Sequence, residues 1–451
     1  MSPRSSTRIR LALFALLLGA GATGSLARAE GPGTNPGTLS YIPTPVTIPA
    51  PLGLTEVSPG NFVGLQDGSP TFLLTSQGAI TVLCQIPANE VVSSVKAVQA
   101  VNGRLYGSGV ASQGGKNVGL NFSFGLNCNP ESYPNPFTPT LFVPTPDGGL
   151  FGTYFGDPAA NAFVRMALDG TVTILHTFSS QEGGSAGPLV LADDGNFYGI
   201  SGRFSKPAGN SSSVYRATPQ GDLKILATFA QGSVPINAPP GEALIQASNG
   251  RLYGASVEGG SHRAGSIFEL SLDGTGYKAL YDYPYLASGI PTALAEGPDG
   301  NLYGIAQGES QLCGCSTLFR ISLQGKYQKL QQINPSVSGG CPCWMTLGSD
   351  GKFYGTAESG AWIWDLGLPG PTPLLTALQP ASGPVGGKVI VWGKNLLGAR
   401  AVSFNGTAAT TLANISANFV SVTVPAGATS GPVTITTANG SAASPGSFTV
   451  E

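Results

Sequence analysis

Residues 193–201 read DDGNFYGIS, Asp193 to Ser201, an Asp-Gly bend running into a short apolar stretch. The chain writes the same script as NGRLYGSG from Asn102, NGRLYGAS from Asn249, DGNLYGIA from Asp299 and DGKFYGTA from Asp350. With the Gly after the aromatic as marker, copies fall at Gly64, Gly107, Gly152, Gly199, Gly254, Gly304 and Gly355, spaced 43–55 residues apart. A period in that range denotes blades or solenoid coils, and the content of each copy decides between them.

The fourth copy is the clearest. GPLVLADDGNFYGIS is a strand, a tight turn and a strand, and SVYRATPQGDLKILATF is a second strand pair around Gln220-Gly221. Two hairpins make a four-stranded unit, one propeller blade. The second hairpin returns as FLLTSQGAITVL, FVRMALDGTVTILHTF, IFELSLDGTGYKALYDY and LFRISLQGKYQKLQQI, and is eroded in the second and seventh copies. Seven markers predict a seven-bladed ring over 52–375, in which Gly supplies the positive φ of each hairpin bend. The aromatics Tyr106, Tyr198, Tyr253, Tyr303 and Tyr354 read as blade packing. The turn acids, such as Asp169, Asp194, Asp273, Asp299 and Asp350, read as turn formers rather than calcium ligands, because other copies carry Asn, Gln or Pro there.

Composition agrees with an all-β chain. Only 10% of residues are charged, while Gly contributes 65 and Pro 36 of 451, which suits many turns and not solvated helices. Arg4, Arg8 and Arg10, the apolar run Leu11 to Ala22 and Ala27-Arg28-Ala29 form the three-part pattern of a secretory signal over 1–29, with cleavage expected after Ala29. Its loss removes four of the 22 basic residues and none of the 24 acids, leaving a net charge of about −6. Such a product is poorly suited to nucleic acid, and no later segment reads as a membrane span. The expected location is secreted, periplasmic or cell-surface. Residues 30–51, with six prolines, form a linker that can also lend a strand to close the ring.

Cys84, Cys128, Cys313, Cys315, Cys341 and Cys343 make an even count in an oxidising compartment and are disulfide candidates. A zinc site is disfavoured by the C-G-C and C-P-C spacing. The natural groupings are Cys84 with Cys128 and the Cys313/Cys315 pair with Cys341/Cys343.

The repeat resembles the GloVer (Gloeo/Verruco) repeat of exported bacterial proteins, over about Gly53 to Leu375, on its DG-N-F-Y-G segments and the strand pairs that follow. That resemblance implies a repeat fold and names no reaction. Beyond Leu375, residues 376–451 carry Gly383-Pro384, Gly386-Gly387, VIVWGKNL, VSFNG, VPAGATSGPVTIT and a closing SFTV. This segment resembles the IPT/TIG immunoglobulin-like domain, which implies a small β-sandwich acting as spacer or contact module.

In a four-stranded blade the hairpin bends share one face of the ring, and the links between hairpins and blades share the other. The long variable loops fall on that second face, where a ligand site is expected. They offer Arg203, Lys206, Glu258, His262, Arg263, Glu309, Glu182 and Trp344; of these Arg203, Glu258, His262, Arg263 and Trp344 are the candidate ligand-binding residues. Glu182, Glu258 and Glu309 would serve a glycosidase as acid and base only if correctly spaced, and otherwise are solvated loop residues. His176, inside TILHTF, reads as a blade residue. No Walker loop and, with two His in the chain, no multi-histidine metal centre appears, so neither cofactor nor metal is expected. The reading is an exported non-catalytic binding or scaffold protein contacting polysaccharide or a cell-surface protein. The alternatives are a carbohydrate-active hydrolase or lyase and a purely structural envelope component.

Overall fold

A computed structural model describes residues 24–26, 37–43, 53–66, 69–84, 96–113, 116–134, 138–139, 141–155, 161–179, 182, 184–185, 189–203, 211–229, 244–256, 262, 265–284, 290–307, 316–333, 344–357 and 360–451. These residues hold strands and turns and no helix. Outside the C-terminal segment the strands form seven antiparallel sheets. We number them by repeat copy: sheet 1 (54–84), sheet 2 (98–134), sheet 3 (138–177), sheet 4 (184–229), sheet 5 (244–282), sheet 6 (290–333) and sheet 7 (346–365 with Thr38–Pro43).

Each sheet touches the next. The inner strand of sheet 1, Leu54–Ser58, touches both Val98–Gln99 of sheet 2 and Phe353–Ala357 of sheet 7, so the first and last copies meet and the ring is a β-propeller. The seventh copy lacks an outer strand of its own. Thr38–Pro43 fills that place, pairing antiparallel with Gly360–Asp365. Gly24–Leu26 adds a fifth strand outside it, on the amino side of the expected cleavage site.

The bend glycines take the conformation expected of them, with φ of 79° at Gly103, 79° at Gly195, 78° at Gly250 and 72° at Gly300. The marker glycines have a different reason to be Gly. A Cβ at Gly304 would lie 2.2 Å from Phe319 Cζ, and one at Gly254 2.3 Å from Phe268 Cζ. Each ring belongs to the residue directly across the ladder and lies flat over the glycine. The aromatic therefore packs between neighbouring sheets without displacing its own. The motif tyrosines are buried as expected, and their hydroxyls also return to the bend, with Tyr198 donating to Asp194 at 2.8 Å and Tyr354 to Asp350 at 2.6 Å.

The second-hairpin bends interlock with the sheet before them. Substituents at Gly221, Gly274 and Gly325 would meet the carbonyl oxygens of Leu175, Leu226 and Leu280 at 2.4, 2.9 and 2.6 Å. Cys84 and Cys128 are bonded, joining the outer strand of sheet 1 to a bend of sheet 2 across 44 residues. The other four cysteines lie outside the described residues.

The C-terminal unit is a sandwich of two sheets. One holds Leu374–Gln379, Lys388–Lys394, Leu412–Asn414 and Phe419–Thr423; the other holds Ser382–Gly383, Ala401–Phe404, Thr407–Ala408, Gly431–Thr437 and Gly440–Val450. Val391, Val420, Phe404, Val433, Ile435 and Phe448 meet between them. Its first strand begins at Leu374, slightly ahead of the boundary expected at 376.

Candidate functional site

The two faces of the ring differ because the sandwich sits on one of them. Lys394 Nζ is 3.2 Å from Asp193, in the inner bend of sheet 4. Asn439 Nδ2 donates to the carbonyl of Ser349, in the inner bend of sheet 7, at 2.8 Å. Gly398 approaches Pro59 in the corresponding bend of sheet 1 so closely that a Cβ there would lie 2.9 Å from the Pro59 ring. Among the described residues, these contacts of the sandwich fall on the bend face, at sheets 1, 4 and 7.

Inside the ring, one residue per sheet stands at the same register, opposite the residue before the marker glycine. These are Thr55, Val98, Val143, Val190, Ile245, Ala295 and Thr346, all partly buried. They form a mostly apolar collar around the axis. A cavity of about 250 Å³ is lined by four of them, Val98, Val143, Val190 and Ile245, with Lys96 and Lys394 in its wall.

On the link face, His176 and Glu182 come together at 3.2 Å, with side chains 25% and 22% exposed. The same Glu182 oxygen accepts from the Ser179 amide and hydroxyl, each at 2.8 Å, and the Glu182 carbonyl accepts from Ser201 at 2.8 Å. Burial pushes the Glu182 carboxyl up, but the Ser179 and His176 hydrogen bonds outweigh it and hold the group below its ordinary value. Glu182 is therefore a charged acceptor that ties the link between sheets 3 and 4 to both, and not the free loop residue expected. The Ser179 hydroxyl engages the carboxylate and not the imidazole, so the three do not form a relay for nucleophilic attack.

The other expected site residues divide. His262 is exposed on a described turn. Trp344 is only 3% exposed, which corrects its assignment to the ligand-facing surface: its flat ring is core material at the inner edge of sheet 7. Arg203 ends the strand Phe197–Arg203, and nothing is described of its side chain. Lys206, Glu258, Arg263 and Glu309 lie outside the described residues, so the spacing of the three glutamates is not set by them. Among the described residues, no three His, Cys, Asp or Glu side chains gather as a metal-binding group.

The sequence gives Lys96 and Lys394 no site role: Lys394 stands within the VIVWGKNL segment of the C-terminal unit, and no local pattern brings it and Lys96 to one cavity. The collar was legible in principle, as the residue four before the bend asparagine or aspartate, or before Pro59 in the first copy.

Comparison with known proteins follows this division. The profile of the Gloeobacter/Verrucomicrobia repeat matches residues 189–362, and that of the IPT/TIG domain matches 373–450. No curated protein matches the chain. Among solved structures, a fungal alcohol oxidase of the AA5 family in complex with copper is similar over 92% of this chain and 100% of its own, at 12% identity and TM-score 0.49. A prolyl endopeptidase is similar over 78% of this chain and 55% of its own, at 12% identity and TM-score 0.45. The Dos1 propeller is similar over 69% of this chain and 76% of its own, at 10% identity and TM-score 0.44. Likeness at this level says nothing of activity. Residues 189–362 carry the Gloeobacter/Verrucomicrobia repeat within an all-β propeller, and residues 373–450 form an IPT/TIG domain.

Proposed function

We propose that this is an exported, non-catalytic binding or scaffold protein: a seven-bladed propeller whose link face contacts a glycan or a protein at the cell surface, with the TIG domain seated behind it as spacer or docking module. The observation that carries the reading is the seat of the TIG domain on the bend face, through Lys394, Asn439 and Gly398. It leaves the rigid scaffold presenting its adjustable loops on the opposite side, which is where recognition is usually placed. Export is supported by the leader pattern of residues 1–29 and by the Cys84–Cys128 bond, which persists in oxidising compartments. A binding rather than hydrolytic role is supported by Glu182, whose carboxylate is taken up by Ser179 and His176 and held ionised, the wrong state for a general acid.

The test is to incubate purified protein with soluble and insoluble polysaccharides and with cell-wall fractions, following retained protein and released sugar together. Retention without release supports the reading. Released sugar overturns the non-catalytic part, and neither retention nor release on any fraction overturns the surface-binding part.

A further inference from the structure

Outside its outer strand sheet 7 carries a further one, and that strand lies within the leader pattern of residues 1–29. Gly24–Leu26 pairs antiparallel with Thr38–Pro43, with Gly24 opposite Tyr41, Ser25 opposite Ser40 and Leu26 opposite Leu39. Among the described residues, no other outer strand of the ring is covered in this way.

The edge beneath it is one that needs a cover. Leu39 is buried with Tyr303, Trp362 and Trp364, and Ile42 with Phe62, Tyr354 and Ile363, so Thr38–Pro43 is built into the core of the ring. Its sequence, TLSYIP, holds no charge. The outer strands of sheets 2, 4, 5 and 6 carry Glu131, Lys224, Lys278 and Lys329, the kind of residue that keeps an open strand edge from pairing with another chain. A cut after Ala29 would make Gly24–Leu26 part of a separate peptide. Three residues of ladder do not hold a free peptide against the freedom it regains on leaving. Joined to Thr38 through the short connection after Leu26, the same strand needs only a loop closure to stay in place.

The sequence contains a second place to cut. Ala20-Gly21-Ala22 is also an A-x-A, just after the apolar run Leu11 to Leu18, and a run of that length suffices for a secretory leader. Residues 20–23 lie outside the described residues, so the choice between the two places rests on the strand that follows them. We infer that the leader peptidase hydrolyses the Ala22–Thr23 bond, with water adding its hydroxyl to the Ala22 carbonyl carbon and its proton to the Thr23 nitrogen. The exported chain then begins at Thr23 and keeps Gly24–Leu26 as the outermost strand of sheet 7. This rests on the export part of the proposed function and is independent of what the link face binds.

The experiment is to express the full chain in a host with Sec-type export, recover it from outside the cytoplasm and sequence its N-terminus. Ala22→Leu and Ala29→Leu are run beside it, each placing a bulky residue where one of the two cuts requires a small one. Wild type and Ala29→Leu are expected to begin at Thr23, and Ala22→Leu to lose that start. An exported wild type that begins anywhere else, at Glu30 above all, overturns the inference and leaves export standing. A chain that is neither cut nor exported overturns the export reading and the inference with it. Hydrogen exchange of the exported protein is the second readout. Ser25→Pro/Leu26→Pro keeps both A-x-A sites but removes the amides of the outer ladder, and amides of Thr38–Pro43 are expected to exchange about tenfold faster in it. Unchanged exchange there overturns the strand's place in the exported protein.

Discussion

Glu56 accepts both the amide and the hydroxyl of Ser349, at 2.8 and 2.7 Å, across 293 residues of chain. The pair joins the inner bends of sheets 1 and 7. Within the array, Ser248 and Glu296 make the same two bonds at 2.7 and 2.6 Å between sheets 5 and 6, and the Asp193 amide reaches Gln246 at 2.9 Å between sheets 4 and 5. The ring is therefore closed by the same latch that joins its internal neighbours.

Glu56 is buried, and burial pushes its carboxyl above the ordinary value, with Asp350 adding to the rise, against the hydrogen bonds from Gly60 and Ser349. A raised folded pKa means that the group's contribution is full below the unfolded pKa and is lost as pH rises through the folded one. Glu56→Gln has no such loss. Urea unfolding at about pH 4 and about pH 7 is expected to show the variant less stable at both, with the gap narrowing at the higher pH. A gap that widens instead means that the Ser349 and Gly60 donors dominate.

Two kinds of glycine in one motif predict two kinds of damage. Gly304→Ala forces a methyl group against Phe319 Cζ and against the Ala293 carbonyl, at unrelaxed distances of 2.2 and 2.7 Å. Its cost is expected at about 1–3 kcal/mol, the range for overpacking, and Phe319→Leu in the same chain recovers part of it. Gly195→Ala meets nothing within 4 Å but must hold a φ of 79°. It should cost about 1–2 kcal/mol, with Gly195→Asn milder. Denaturant midpoints of the four variants separate the two causes, and rescue of Gly195→Ala by a side-chain truncation would contradict them.

The bend acids serve the fold in two directions. Asp194 accepts the Asn196 amide with one oxygen, at 3.0 Å, and the Tyr198 hydroxyl with the other, at 2.8 Å. Where the bend carries Asn102, its amide donates to the Tyr106 hydroxyl at 3.0 Å, and that hydroxyl donates onward to Leu168 of the next sheet at 3.0 Å. Asp194→Asn is therefore expected within about 0.5 kcal/mol of wild type, Tyr198→Phe about 1 kcal/mol below it, and Asp194→Ala lower still. Chelation with EDTA should leave the melting temperature unchanged. A calcium-dependent shift lost in Asp194→Asn would assign these acids to a metal.

The Cys84–Cys128 bond closes a span of 44 residues between adjacent sheets. Loop entropy puts its worth at roughly 4 kcal/mol. Unfolding of Cys84→Ser/Cys128→Ser should show that loss, and added reductant should destabilise wild type but leave the double variant's midpoint where it is, unless a second reducible bond contributes.

The local units were legible before any coordinates. An Asx-Gly bend, a residue alternation of two and a recurring Tyr-Gly are written in contiguous residues, and Asp194, Gly195 and Tyr198 make their decisive contacts within a few positions of one another. The change of character expected at 376 was readable for the same reason, as a change in strand and turn pattern, and the first strand there begins at Leu374. The strand that residues 30–51 were expected to lend is Thr38–Pro43; only the tertiary structure decided its partner and register, that Trp344 is core, that His176 takes Glu182 as partner, and that the TIG domain meets the bend face and brings Lys394 to a cavity that Lys96 also lines. Those outcomes pair residues from distant copies or from both domains. Their energy comes from surfaces that exist only once the ring has closed, so no short-range pattern in the chain records them.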